Sequence, residues 1–370
     1  MKKIMVVFGT RPEAIKMIPI IKQIEKEKDL KLTVCTTGQH KDMLNQVLKK
    51  FNIVPDYNLD IMKKAQTITY ITTVIINKID EIIKKEKPNI ILVHGDTTTS
   101  LATAIAAYYN KVKIGHVEAG LRTHNKYSPY PEEMNRVLIS DLADIHFAPT
   151  QANKNSLLIE GIDEKNIFIT GNTVIDAIQL TINKDYKFEE EKLNKIDFNK
   201  NKKYILLTAH RRENLGEPIR NICKAIKILA EKRNDVEVIF PVHYNPKVRE
   251  VVFKYLGNNK KVHLLDPINV FDMHNLMSKV YLVMTDSGGL QEEAPAIGKP
   301  VLVLRENTER PEAIKNGVAK IVGANTENIM KEVEILLDND KEYNKMAKSV
   351  NPYGDGHASE RIVEIIKRLE

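Results

Sequence analysis

The chain has no apolar run approaching the ~20 residues of a bilayer-spanning helix, no arginine-rich tract, and only two cysteines in 370 residues. Each absence closes a route. The first argues against a membrane protein. The opening MKKIMVVFGTRPE is basic at its tip, but its apolar stretch is short and is followed at once by Arg11 and Glu13. It therefore reads as a first β-strand and not as a signal peptide. Cys35 and Cys223 stand far apart, in neither a CxxC nor a metal-ligand spacing, and read as reduced, buried thiols of a cytoplasmic protein. The net charge of +7 and pI near 9.0 raise the question of an anionic partner. Yet the lysines are scattered among acids (KEKDLK, IIKKEKPN, FNKNKKY), with no aromatic-interleaved basic patch, so no nucleic-acid partner is expected. His94 and His116 each precede a carboxylate by two residues, and alternation along a strand would put His94 and Asp96 on one face. No HxxxH, HExxH or cysteine cluster accompanies them, so no metal is expected.

What is present is a soluble-globular balance, 42% hydrophobic and 28% charged, in a length that suits two domains. Short β-branched runs alternate with amphipathic stretches: IMVVF, LTVCTT, IILVHG, KIGHVE, DIHFAPT and IFITG. After Gly171 comes TVIDAIQLTIN and a lysine-rich passage, and the alternation restarts with YILLTA, VEVIFPVH, VHLLD, YLVMTD, PVLVLRE and AKIVGA. This is an α/β pattern of βαβ units on parallel sheets. We place the first domain over 1–171 and the second over 172–353. Residues 354–370 form a last amphipathic helix after the turn NPYGDGH.

In an open α/β sheet, ligands sit outside the carboxyl ends of the strands. Asp96 closes IILVHGD, Glu118 closes KIGHVE, and Glu132 opens a helix-like PEEMNRVLISDLAD. Three carboxylates delivered there suit acid–base chemistry. Plainer readings exist: Asp96 or a neighbouring threonine can cap the next helix, and Glu132 is a favoured first-turn acid able to pair with Arg136 at i+4.

Basic residues gather at other strand ends. Arg11 and Lys16 surround the turn in FGTRPEAIK, and RPEAIK recurs with Arg310 at 310–315. The recurrence reads as local helix-start chemistry, Pro and Glu being favoured in a first turn, with both arginines available to one ligand. TAHRREN places His210 before two arginines. In TDSGGLQEEAP, Ser287, Gly288 and Gly289 stand at a strand-to-helix turn where backbone N–H groups face an anion. Glu292 and Glu293 follow one turn later, where a carboxylate can bridge the two hydroxyls of a ribose; the plainer reading is a Ser N-cap with solvated glutamates. This is neither a Walker loop nor GxGxxG.

Together, FGTRPEAIKMIP, GQHKDML, LVHGDTTTS, GHVEAGLRT, YPEEMNR, ITGNTVIDA, TAHRRENLG, PVHYNP, TDSGGLQEEAP, TERPEAIKNG and NPYGDGHAS resemble the signature blocks of the non-hydrolysing UDP-N-acetylglucosamine 2-epimerases, in the family's order and over nearly the whole chain. The resemblance implies the type-B glycosyltransferase fold, two Rossmann-like domains facing across a cleft, with the C-terminal helix packing back on the first. It implies a homodimer that uses neither nicotinamide nor metal, and UDP-N-acetylglucosamine and UDP as its ligands. Residue by residue, it implies that Arg11, Lys16, His210, Ser287, Gly288, Gly289, Glu293 and Arg310 hold UDP, and that Asp96, Glu118 and Glu132, with His210, surround the sugar. The family often has an aromatic beside the uracil where this chain has Met273, with Phe271 nearby.

The chemistry is consistent with that assignment. Removing an unactivated C2 proton requires departure of UDP from C1, so a diphosphate clamp is needed as well as a base. The rivals are an epimerase for a UDP-2,3-diacetamido sugar, a hydrolysing epimerase, and a retaining glycosyltransferase of the same fold. Closure about 171–175 and 351–356 is also expected; equal radii of gyration in solution with and without UDP would argue against it.

Overall fold

Buried strands with few polar positions build the frame. In the computed structural model, which describes residues 1–38, 41–63, 66–198 and 201–369, the chain divides into two compact units. The first comprises Met1–Ala177 with Tyr353–Glu370, the second Ile178–Pro352. Gln39 and His40 of the GQHKDML block lie outside the described residues.

In the first unit seven parallel strands are ordered β3-β2-β1-β4-β5-β6-β7. They are β1 (Lys2–Phe8), β2 (Leu30–Thr36), β3 (Tyr57–Asn58), β4 (Ile90–His94), β5 (Lys113–Val117), β6 (Ile145–Ala148) and β7 (Ile167–Ile169). The β4 sequence IILVH is buried at all five positions, as expected of a parallel strand covered on both faces. On the helix Ile68–Glu86, Ile71, Ile75, Ile79, Ile82 and Ile83 fall at helical spacing on one buried stripe of the core. Burial of each such side chain contributes roughly 1.5–3 kcal/mol.

In the second unit the order is β10-β9-β8-β11-β12-β13. These strands are β8 (Lys203–Thr208), β9 (Val236–Pro241), β10 (Val262–Leu265), β11 (Leu282–Thr285), β12 (Val301–Val303) and β13 (Ala319–Ile321). The helix Glu217–Lys232 lays Ile219, Ile222, Ile226 and Leu229 into that core. Both sheets are therefore doubly wound. Strand order reverses between β1 and β4 in one and between β8 and β11 in the other, and such switch points are where ligands bind. Of the strands in the two sheets, only Tyr57–Asn58 has no counterpart among the runs read from the sequence. It is two residues long and carries no apolar run.

The C-terminal segment belongs to the first unit. Its helix Ala358–Arg368 buries Ile362, Val363 and Ile366 and packs on the helix Arg11–Ile24. Asp176 receives its first turn, accepting from Ser359 N (2.7 Å), Ser359 Oγ (2.6 Å) and Ala358 N (3.2 Å). Next to it the chain passes itself closely. Asn172 N donates to Tyr353 O at 2.6 Å, and a Cβ on Gly171 (φ +87°) would lie 3.2 Å from the Cα of Gly354 (φ +131°). Both positions need glycine, on grounds of space and of backbone angle.

Candidate functional site

In the first unit the turns after β1 and β4 are tied together by a carboxylate that sequence reasoning passed over. Glu13 is only 2% exposed. It accepts from Gly9 N (3.0 Å) and Thr10 N (2.8 Å) at the start of its own helix. Its other oxygen accepts from Thr97 Oγ1 (2.6 Å) and Ser100 Oγ (3.1 Å) across the switch point. Burial raises its pKa, against the opposing pull of those donors. The pattern was visible as Thr10-x-x-Glu13, a capping box.

Arg11 is the first residue of that helix, half-buried at the switch point, and Lys16 lies just over one turn further on. Lys16 pairs with Glu118. Glu118 Oε2 also accepts from Asn172 Nδ2 at 2.9 Å and lies 3.7 Å from His94 Nε2. Burial pushes His94 down to about 4, although Glu118 pulls the other way. Glu118 occupies the left-handed region at φ +61°, an uncommon place for a residue with a side chain, and strain of this kind clusters at functional sites.

Asp96 does not cap the following helix. Thr97 does, accepting from Ser100 N at 3.1 Å, which leaves the Asp96 carboxylate to pair with Arg136. The strand ends at His94, and Gly95 turns the chain with φ +62°, so the two-residue alternation from His94 does not extend to Asp96. The expected Glu132–Arg136 pair is not formed. Arg136 is buried and turns inward to Asp96 and to Glu133 Oε2, one residue along, at 3.0 Å. Positions i+3 and i+4 are both within reach on a helix. Burial chooses Glu133, which also accepts from Thr123 N (2.9 Å) and His124 N (2.8 Å). Burial would raise the pKa of Glu133, but these donors and Arg136 outweigh it and hold the carboxyl below the ordinary range. Glu132 is left half-exposed, with no described polar partner, on the first turn of the helix Glu132–Leu142.

In the second unit the switch point carries His210 and Arg211 after β8, and Asp286 to Gly289 after β11. Asp286 is fully buried. Its Oδ2 accepts from His210 N (2.7 Å), Arg211 N (2.8 Å) and Asn214 Nδ2 (2.9 Å), and its Oδ1 lies 3.5 Å from His210 Nδ1. The imidazole stacks on His243, with centroids 5.1 Å apart and planes 8° from parallel. Burial lowers the His210 pKa, Asp286 opposes this, and His243 and Arg211 add to it.

Ser287 is the N-cap of the helix Gly288–Ala296, but its side chain makes no cap hydrogen bond. Over that helix start stand two guanidinium groups: a Cβ on Gly288 would lie 3.8 Å from Arg310 Cζ and 4.0 Å from Arg211 Nη2. A side chain here would fill the space between the cations and the helix N-terminus. Glu292 is buried and pairs with Arg310, fixing the cation. Glu293 Oε1 would lie 3.4 Å from a Cβ on Gly289, and its other oxygen is 3.5 Å from His274 Nε2. Met273 is half-buried on the helix Val270–Lys279, whereas Phe271 is buried. The second RPEAIK opens a helix of only five residues, Pro311–Lys315, with Arg310 as its N-cap.

The first unit thus assembles carboxylates paired with cations at its switch point; the second sets cations over a two-glycine helix start whose N-cap side chain makes no cap hydrogen bond. The former suits proton transfer, the latter an anion.

Comparison with known proteins gives these arrangements a context. The family described as UDP-N-acetylglucosamine 2-epimerase matches residues 22–367. The Bacillus subtilis UDP-N-acetylglucosamine 2-epimerase is 51% identical over 362 residues, covering 98% of this chain and 94% of the relative. The Neisseria meningitidis UDP-GlcNAc 2-epimerase, solved bound to UDP-GlcNAc, superposes with a TM-score of 0.84 at 46% identity, covering 99% of this chain and 100% of that one. S. aureus MnaA, solved with UDP, gives 0.84 at 50% identity and covers 99% and 96%.

Proposed function

Because this chain belongs to the UDP-N-acetylglucosamine 2-epimerase family, we propose that it interconverts UDP-N-acetylglucosamine and UDP-N-acetylmannosamine by inverting C2 of the sugar. The observation that carries this reading is the match over residues 22–367, joined to a relative of near-identical fold solved with UDP-GlcNAc.

The reaction proceeds by elimination and re-addition. A carboxylate removes the C2 proton, and the C–H electron pair becomes the C1=C2 bond. UDP leaves C1 with the pair of the C1–O bond, giving 2-acetamidoglucal. A group on the opposite face then delivers a proton to C2, and the UDP oxygen re-forms its bond to C1. Nothing is consumed, and two faces must be served, so more than one acid–base group is required. Asp96, Glu118 and Glu132 are the proton-handling set, with His210 beside the sugar. Arg11, Lys16, His210, Ser287, Gly288, Gly289, Glu293 and Arg310 hold UDP, with Met273 near the uracil. Charge-assisted hydrogen bonds from guanidinium groups, with free helix N–H groups, stabilise the departing diphosphate.

We further propose that the enzyme works in the cytoplasm as a homodimer and supplies a polysaccharide precursor. The test is incubation with UDP-N-acetylglucosamine followed by proton NMR. Appearance of UDP-N-acetylmannosamine supports the reading. Free N-acetylmannosamine with UDP would indicate a hydrolysing enzyme, and an unchanged sugar in the presence of folded protein would overturn the assignment.

A further inference from the structure

We propose that Asp286 is the positioning residue for His210, holding the ring by Nδ1 so that Nε2 is the nitrogen offered to the substrate. Three constraints converge on that ring. Its backbone N–H donates to Asp286 Oδ2 at 2.7 Å, the ring stacks on His243, and Nδ1 lies 3.5 Å from Asp286 Oδ1. Oδ2 is already occupied by three donors. Oδ1 is buried and has no hydrogen-bond partner among the described residues. A buried carboxylate oxygen without a donor is costly, and the one donor the geometry brings toward it is a proton on His210 Nδ1, 3.5 Å away. A histidine's tautomer is set by the hydrogen bond made at its other nitrogen. The Nδ1–H form therefore dominates and leaves Nε2 with its lone pair. The charged and titratable groups facing the ring are Asp286, His243 and Arg211. Asp286 itself is fully buried, and besides His210 it holds Arg211 N and Asn214 Nδ2 of the same turn.

This deepens the proposed function and rests on His210 meeting the substrate. In Asp286→Asn the side-chain oxygen can still accept from the turn's N–H groups, while the amide N–H₂ faces Nδ1 and makes it an acceptor. The tautomer should then invert to Nε2–H. The measurement is ¹⁵N NMR of the UDP-saturated full chain at pH 8, with the His210 signals assigned by their loss in His210→Gln. The expected results are protonated Nδ1 in the wild type, protonated Nε2 in Asp286→Asn, and turnover reduced by ~10²-fold or more in the variant. UDP affinity should change by less than about tenfold. The double variant should be no slower than His210→Gln alone, since the two residues act as a unit. Protonated Nε2 in the wild type, or full turnover in Asp286→Asn, overturns the proposal. If the variant does not fold, the wild-type spectrum decides by itself. If the wild type folds but fails to epimerise, the function reading fails while the nitrogen assignment still decides the positioning.

Discussion

The two units use one doubly wound plan and put opposite chemistry at its switch point. In the first, the helix after β1 is capped by its own Thr10 side chain, and the strand-end acids Glu118 and Asp96 each have a cation, Lys16 and Arg136, the latter shared with Glu133 of the next helix. In the second, the helix after β11 starts with two glycines, its N-cap side chain makes no cap bond, and Arg211 and Arg310 stand over it. The scaffold therefore does not select the chemistry. What selects it is whether the turn's donors are satisfied internally or left open.

The contrast can be broken from either side. The largest effect is expected from Glu118→Gln, which should reduce turnover by ~10²–10⁴-fold while changing UDP affinity little, read from initial rates and calorimetric UDP binding. Arg310→Met should instead weaken UDP binding and, because the same cation stabilises the departing diphosphate, slow turnover as well. Loss of one charge-assisted contact of about 1.5–3 kcal/mol weakens UDP binding by roughly 10–100-fold, part of that arising from the Glu292 carboxylate left buried without its partner.

The units should also differ in acid. His94, His116 and His146 of the first unit are held by burial at about 4, 3 and 4. Their folded values lie below the unfolded value near 6.5, so the unfolded chain takes up protons first. Their contribution is therefore complete above pH 6.5 and is lost as pH falls toward 4, by up to about 1.4 kcal/mol per pH unit for each. His210 in the second unit shifts in the same direction but is partly exposed. Hydrogen exchange at pH 4.5 should show first-unit amides losing more protection; equal losses would contradict this.

The smallest effect sharpens the comparison most. Thr10→Ala removes a working cap and should cost about 1 kcal/mol of stability by urea unfolding. Ser287→Ala removes a side chain that caps nothing, so it should leave stability within about 0.5 kcal/mol and weaken UDP binding.

Most of the frame was legible because parallel strands buried on both faces read as continuous apolar runs, which IILVH and YILLT do plainly. Tyr57–Asn58 was not legible, since a two-residue edge pairing leaves no pattern. The lone acids were legible as types of residue at strand ends; their partners were not. Spacing alone offered Arg136 to Glu132, but burial gave it to Glu133 and Asp96. Asp286 was hidden in plain view beside Ser287, because a residue at a strand end does not announce which way its side chain turns. Glu13 had a signal in the capping-box spacing, but its reach to Thr97 and Ser100 is a tertiary fact.

The central claim is that this chain moves a proton at one sugar carbon. The most direct measurement is NMR of UDP-N-acetylglucosamine incubated with the protein in D₂O. The account predicts deuterium at C2 in both epimers as equilibrium is approached; epimerisation with no deuterium at C2, or no exchange by folded protein, would contradict it.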